Sequence, residues 1–402
     1  MGAMIRRQAF RFALRPTDTQ ERLFRQFAGA CRFVHNRALA LEIDRHASGE
    51  PRLGYVGTSG LLPRWKRDPE TLWLAGIHSQ ILQQALKDLD RAYRNFFEKR
   101  AGFPKFRKKG ENDAFRFPQG AKLDEPNARI FLPKIGWVRY RKSRTVLGTI
   151  KNVTVRRSGD KWFVSIQTER EVEASVPPSS GIVGVDLGVA RFATLSDGTV
   201  IEPGRFLSRH EARLKRLQRA LARTKKGSKN REKVRKKLSR LHRQIANARN
   251  DFLHKVSTML CKSHAVIVVE DLNVTGMSAS AAGTPHAPGK NVRQKAGSNR
   301  SLLDQGCGAF LRMLEYKADW SGGRVVRIPP QYTSQTCAVC GHVSPENRTT
   351  QALFRCVSCS HAENADLNAA RNILRAGHAR LACGTNTSPD VGASAQEPTE
   401  AA

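Results

Sequence analysis

"VGVDLGVARFATLSDG", residues 183–198, decides the fold. An apolar run delivers one carboxylate, Asp186, to the point where a strand gives way to a loop, and a second strand-like stretch follows, closed by the Asp197-Gly198 turn. That acid stands in a chain of 402 residues with 69 Lys and Arg against 35 Asp and Glu, a formal charge of +34. Two further acids occupy comparable places. "HAVIVVED" (264–271) is a buried-strand run reaching Glu270, and Asp366 opens "ADLNAARNILRA", whose Leu367, Ala370 and Leu374 mark a helix face.

Taken singly, Asp366 reads equally well as an acid complementing a helix dipole, and Glu270 as a polar strand end. Three acids at element ends of one α/β region point further. Magnesium takes hard oxygen ligands and stays open to water and phosphate. Two such ions about 3.5–4 Å apart activate water and stabilise the leaving oxygen of a phosphodiester. Gly184 and Gly188, flanking Asp186, lack side chains that would obstruct a nucleic-acid backbone, and they serve as well in a turn or bulge.

The charge balance calls for a polyanion. No apolar run approaches the roughly 18 residues of a membrane span and no signal peptide is evident, so nucleic acid is the expected partner of a soluble, intracellular protein. Between Arg205 and Arg249 stand 18 Lys and Arg against two acids, Glu211 and Glu232. Leu214, Leu217 and Leu221, then Val234, Leu238, Leu241 and Ile245, keep helical spacing on either side of Gly227-Ser228, which predicts a basic helical hairpin within residues 205–260. Residues 275–300, rich in Gly, Ala, Ser and Pro, read as a mobile loop, and a helix is expected from about Ser301 to Trp320.

Four of eight cysteines are paired as Cys337-x2-Cys340 and Cys356-x2-Cys359, with 15 residues between the pairs. This spacing is that of a closed, structural, tetrahedral zinc site. His342 and His361 lie close by, but four thiolates already complete the set.

Towards the N-terminus, "QAFRFAL" (8–14) alternates as a strand, and Pro16 with the Thr17–Gln20 capping box starts a helix. A second long helix is predicted over about 79–100. From about 115 to 170 the period changes to two, with a turn at Ser158-Gly159-Asp160. A small β-barrel with a helical insertion in its first connection is the economical arrangement.

"GVDLGVARFATLSDG", "VIVVEDLNVTGM", "NRSLLDQGCGAFLRMLEYKA", "YTSQTCAVCG" and "ADLNAARNIL", in this order, with "RFALRPTDTQ" and "FPKFRKKG" before them, closely resemble the TnpB family of transposon-encoded proteins, regarded as ancestors of type V CRISPR nucleases. The resemblance covers the chain to about residue 376. It implies an α/β multidomain fold: a wedge-type β-barrel (1–15 and 115–175) split by a helical recognition domain (16–114), and a RuvC-like nuclease domain of ribonuclease-H fold (176–330 and 361–376). A zinc ribbon (331–360) is inserted in the nuclease domain; after Gly377 it is the composition that reads as a disordered tail (377–402). The resemblance also implies catalytic acids at Asp186, Glu270 and Asp366 holding Mg2+ or Mn2+, and Zn2+ on Cys337, Cys340, Cys356 and Cys359. The implied activity is RNA-guided cleavage of double-stranded DNA beside a short transposon-associated motif, with a guide RNA from the transposon end, in the cytoplasm of a bacterium or archaeon at the nucleoid. RNA-guided DNA binding without cleavage and an accessory role in transposition, including strand transfer, are the alternatives. Two departures from the family pattern are Asn364, where an Asp is common, and Ser360, where Gly usually follows the last cysteine.

Overall fold

The structure, a computed structural model, describes residues 3–177, 179–284 and 286–383. The chain divides into two compact units, one spanning Ala3–Val172 and one beginning at Glu173.

In the first unit, strand β1 (Ala3–Arg15) leads into helix α1 (Asp18–Ala47), α2 (Gly54–Gly60), α3 (Leu62–Arg67) and α4 (Ser79–Phe97). The expected capping box opens α1: the Gln20 amide donates to Thr17 Oγ1 at 3.3 Å, and the Thr17 amide donates to Gln20 Oε1 at 3.1 Å. Six strands follow: β2 (Ala114–Phe117), β3 (Lys122–Asp124), β4 (Arg129–Leu132), β5 (Gly136–Tyr140), β6 (Thr149–Ser158) and β7 (Lys161–Glu173). They join β1 in one sheet of order β2-β6-β7-β1-β5-β4-β3. The β6–β7 hairpin turns at Gly159-Asp160, as its sequence dictates.

Two expectations change here. Among the described residues the edge strands β2 and β3 are not paired with each other, so in its hydrogen bonding the expected barrel is an open sheet. The helices do not form a domain with a core of their own either. Phe24, Phe27, Leu82 and Leu86 share one buried cluster with Phe115, Val155 and Trp162, because the apolar stripes of α1 and α4 and the inner face of the sheet cover one another.

The second unit is built on β8 (Ile182–Leu187), β9 (Ala193–Leu195), β10 (Val200–Ile201), β11 (Val266–Glu270) and β12 (Arg324–Ile328), in the order β10-β9-β8-β11-β12. The opening stretch, 183–198, therefore holds the two expected strands, β8 and β9, and a third, β10, lies just beyond it. The β8–β9 connection spans Gly188–Phe192, and the Asp197-Gly198 turn joins β9 to β10. β8, β11 and β12 are parallel, as crossover connections require.

Helices α5 (Glu211–Arg223) and α6 (Lys229–Ser263) form the predicted basic hairpin, capped at Ser228. Leu214, Leu241 and Ile245 make its small core, and the second half of α6 continues into the main core through Leu253, Val256 and Leu260. The 275–300 segment is shorter as a loop than expected, since α7 (Val274–Met277) and α8 (Val292–Gln305) occupy its ends. The single helix expected from Ser301 is broken at Gly306, whose φ of +70° suits glycine, and resumes as α9 (Cys307–Trp320).

Alternation along the strands sorts the two faces. Val183, Val185, Ile267 and Val269 point to the side of α6 and α9. Ile182, Val266 and Val268 point to the other, which the final helix covers. A hairpin of β13 (Leu353–Arg355) and β14 (Ala362–Asn364) precedes that helix, α10 (Ala365–Ala382). The expected ribbon boundary at 360 falls inside this hairpin, between β13 and β14. α10 passes through Gly377 to Ala382, so the first residues of the expected tail are helical. A Cβ at Gly377 would lie 2.4 Å from Val268 Cγ2, so this glycine lets helix and strand pack closely instead of ending the helix. Residues 384–402, the rest of that tail, lie outside the described residues.

Candidate active site

Asp186 and Glu270 follow directly on Val185 and Val269, which are register partners in the parallel β8–β11 ladder. Both belong to the alternation set that faces α10. Gly184, two residues before Asp186 on that face, explains how α10 comes so close. A Cβ there would sit 2.2 Å from the Ala370 carbonyl oxygen and 2.7 Å from the Leu374 amide nitrogen. The helix backbone fills the space at Gly184, so its role is helix packing; the expected clearance for nucleic acid is not what it provides. Ala370 lies one turn beyond Asp366, and seating Ala370 on Gly184 brings the first turn of α10 over the ends of β8 and β11.

Asn364 caps this helix, its Oδ1 accepting from the amides of Asp366 (3.1 Å) and Leu367 (3.4 Å), and Arg191 Nη1 donates to the same oxygen at 3.1 Å. The departure at 364 therefore retains a capping oxygen and adds no charge. The two acids that end β11 also part company: Asp271 pairs with Arg327 at 2.8 Å, while Glu270 faces inward.

The three carboxylates interact. Burial pushes the Asp186 carboxyl up to about 7, and the neighbouring charges of Glu270 and then Asp366 add to the rise, with Arg348 opposing it. Glu270 is also raised by burial, against a 2.5 Å hydrogen bond from Thr333 Oγ1. Thr194, directly opposite Asp186 in the β8–β9 ladder, buries a hydroxyl with no hydrogen-bond partner among the described residues. A half-buried set of hard oxygen donors that repel one another fits a divalent cation. Among the described residues the carboxylates do not converge as tightly as the cysteines below.

The four cysteines converge, their sulfurs all within 4.8 Å of one another, so that the cluster can hold a metal such as zinc. Cys337 and Cys359 lie 3.7 Å apart and Cys340 and Cys356 3.6 Å apart. A tetrahedral ion with Zn–S near 2.3 Å requires sulfurs about 3.8 Å apart, whereas a disulfide would require about 2 Å. The two knuckles repeat one pattern: Gly341 N donates to Cys337 O and Ser360 N to Cys356 O, both at 3.0 Å, while Cys337 N and Cys356 N donate to His342 O and His361 O. His361 Nε2 lies 2.9 Å from Glu363 Oε1, consistent with four cysteines sufficing.

Several residues of the site were missed from sequence. Arg348, on the ribbon, acts electrostatically on Asp186. Asn347 is fully buried and ties the knuckles together, donating to Gln335 O and His342 O and accepting from Val357 N. The buried face of α10 also includes Asn368 and Asn372 beside the expected Ala370. Their i, i+4 spacing on an otherwise small apolar face was the signal available.

The fold is that of a solved structure described as "Cryo-EM structure of the Cas12f1-sgRNA-target DNA complex", with a TM-score of 0.53 at 14% identity, over 89% of this chain and 83% of that one. The chain is thus a mixed α/β protein whose fold is similar to that of the Cas12f1 chain. Sequence comparison carries the assignment to a family. Residues 165–281 match OrfB_IS605, described as "Probable transposase", and residues 308–373 match a Cas12f1-like TNB domain. Residues 4–51 match a helix-turn-helix domain of the OrfB group, a stretch that here folds as β1 and the single long helix α1. The Escherichia coli K12 protein named "Putative RNA-guided DNA endonuclease InsQ" is 57% identical over 95% of both chains. A Streptomyces pristinaespiralis protein named "Putative RNA-guided DNA endonuclease" is 33% identical over 95% of this chain and 92% of its own. The chain belongs to the TnpB (OrfB) family.

Proposed function

We propose that this protein is an RNA-guided DNA endonuclease of a transposon, and that Asp186, Glu270 and Asp366 hold the divalent cations, Mg2+ or Mn2+, of a RuvC-like nuclease domain. The observation that carries this reading is the convergence of two register-adjacent strand ends and one helix first turn, each with an acid, where burial and mutual repulsion push Asp186 up to about 7. Such an arrangement costs folding energy and is relieved by a cation. Cations bound there supply an activated water and neutralise charge developing on the phosphodiester. The chain's own part is to fix the three carboxylates, with β8 and β11 setting two of them and α10, seated on Gly184, setting the third. Arg348 adds a positive group beside the acids, suited to a backbone phosphate.

The four cysteines would hold structural Zn2+, as their closed tetrahedral geometry leaves no ligand position for chemistry. The names of the relatives support RNA and DNA as partners, with the guide RNA drawn from the transposon end. The basic hairpin of α5 and α6 and the Lys99–Lys109 stretch supply the positive surface for their phosphates. The 275–300 segment would gate the site, and its deletion should alter cleavage. Among the described residues no helix is long and apolar enough to cross a membrane. The test is cleavage of a labelled guide-matched duplex by protein co-purified with its RNA. Mg2+ should permit cutting and EDTA abolish it, and Glu270→Gln or Asp366→Asn should abolish it while leaving target binding; cutting by either variant at the wild-type rate would refute the assignment.

A further inference from the structure

Thr333 stands in the loop between β12 and the first cysteine knuckle, buried, with its hydroxyl 2.5 Å from Glu270 Oε1. The same oxygen is 3.1 Å from Pro330 O. A hydroxyl has one proton to donate, and the carboxylate at the shorter distance is the stronger acceptor. The loop that carries this hydroxyl is held from the opposite side. Asn372 Nδ2 on α10 donates to the Thr333 carbonyl at 3.0 Å and to the Thr336 carbonyl at 2.6 Å. One turn earlier, Asn368 donates to Thr336 O at 2.8 Å and accepts from Ala338 N at 2.9 Å, bracketing Cys337. Asn368 and Asn372 are buried, so each of these bonds is made away from water, where leaving one unmade is costly.

The helix that presents Asp366 therefore also grips the loop that restrains Glu270. Glu270 has no such restraint from its own strand, because it is the last residue of β11 and its side chain ends in rotatable bonds.

We propose that Thr333 is a positioning residue, which fixes the Glu270 carboxylate for cation binding and is itself set by α10 through Asn372. Ligating carboxylates held by a neighbouring donor bind metal about 10–100-fold better than the same ligands without it. The inference rests on the reading of Glu270 as a metal ligand, so its test separates the two. Mn2+ binding to the full-length protein would be titrated by electron paramagnetic resonance, independently of cleavage, for wild type, Thr333→Val, Thr333→Ser and Glu270→Gln, with thermal unfolding of each variant measured without Mn2+. Thr333→Val should unfold near the wild-type temperature yet bind Mn2+ about 10–100-fold more weakly, and Thr333→Ser, which keeps the hydroxyl, should restore binding. Should Thr333→Val not fold, Thr333→Ala provides the same comparison. Wild-type Mn2+ affinity in the hydroxyl-less variant, with affinity lost in Glu270→Gln, would overturn the positioning role alone. Wild-type affinity in Glu270→Gln as well would overturn the ligand reading and this inference with it.

Discussion

Gly184 lies directly beneath Ala370: a Cβ on the glycine would come within 2.2 Å of the Ala370 carbonyl oxygen. The contact sets how closely α10 approaches β8, and hence where Asp366 stands relative to Asp186. Gly184→Ala must push the helix outward or strain the strand. Overpacking of this kind costs about 1–3 kcal/mol. Thermal denaturation should show a lower midpoint, and cleavage should fall further than the stability loss explains; an unchanged midpoint would show that the helix has slack there.

The raised carboxyl of Asp186 makes a prediction about pH. In the unfolded chain it loses its proton near 3.8, in the folded protein near 7. Between those values the unfolded state is ionised first, so without divalent cations stability should fall as pH rises from about 4 to about 7, and this contribution should then level off. Added Mg2+ should raise the melting temperature more at pH 8 than at pH 5. Asp186→Asn should flatten the pH slope and reduce the Mg2+ effect, both readable by differential scanning fluorimetry.

Ser360 occupies a left-handed backbone position, φ +61°, equivalent to that of Gly341 at +79° in the other knuckle. A side chain there costs about 1–2 kcal/mol. Ser360→Gly should stabilise the ribbon by about 1 kcal/mol, seen as slower loss of zinc to a chromogenic chelator. Equal or faster loss would show that the serine is held by something the backbone does not reveal.

Lys233 and Lys237, one turn apart on the exposed side of α6, serve as a measure of phosphate contact by the basic hairpin. Replacing both by Ala should weaken nucleic-acid binding at low salt. The slope of log K against log salt should lessen by about 1.4–1.8, the value for two phosphates. A slope equal to wild type would place this face away from the nucleic acid.

How much of this was legible beforehand depended on the range of the interactions. Asp186, Glu270 and Asp366 could be singled out as candidates because each stands at one end of a strongly patterned element, and the cysteine cluster because its spacing encodes its geometry. The Asn364 and Ser360 departures could be seen but not weighed until the cap and the left-handed φ appeared. Arg348 and Thr333 were invisible, since both reach the site from loops whose course is set by tertiary packing rather than by period. Gly184 was read as clearance for a nucleic-acid backbone or as a turn or bulge, when it in fact answers to a helix backbone far away in sequence. The shared core of α1, α4 and the N-terminal sheet was hidden for the same reason, because periodicity reveals an apolar stripe but not what covers it.

The deciding measurement is cleavage, in Mg2+, of a plasmid library carrying a guide-matched target beside randomised bases, by wild-type protein and by Asp186→Ala, each purified with its co-expressed RNA. Wild type should cut a subset enriched in one flanking motif, and Asp186→Ala should cut none while still binding target DNA. Equal cutting by both would contradict the assignment of the carboxylate cluster as the nuclease centre.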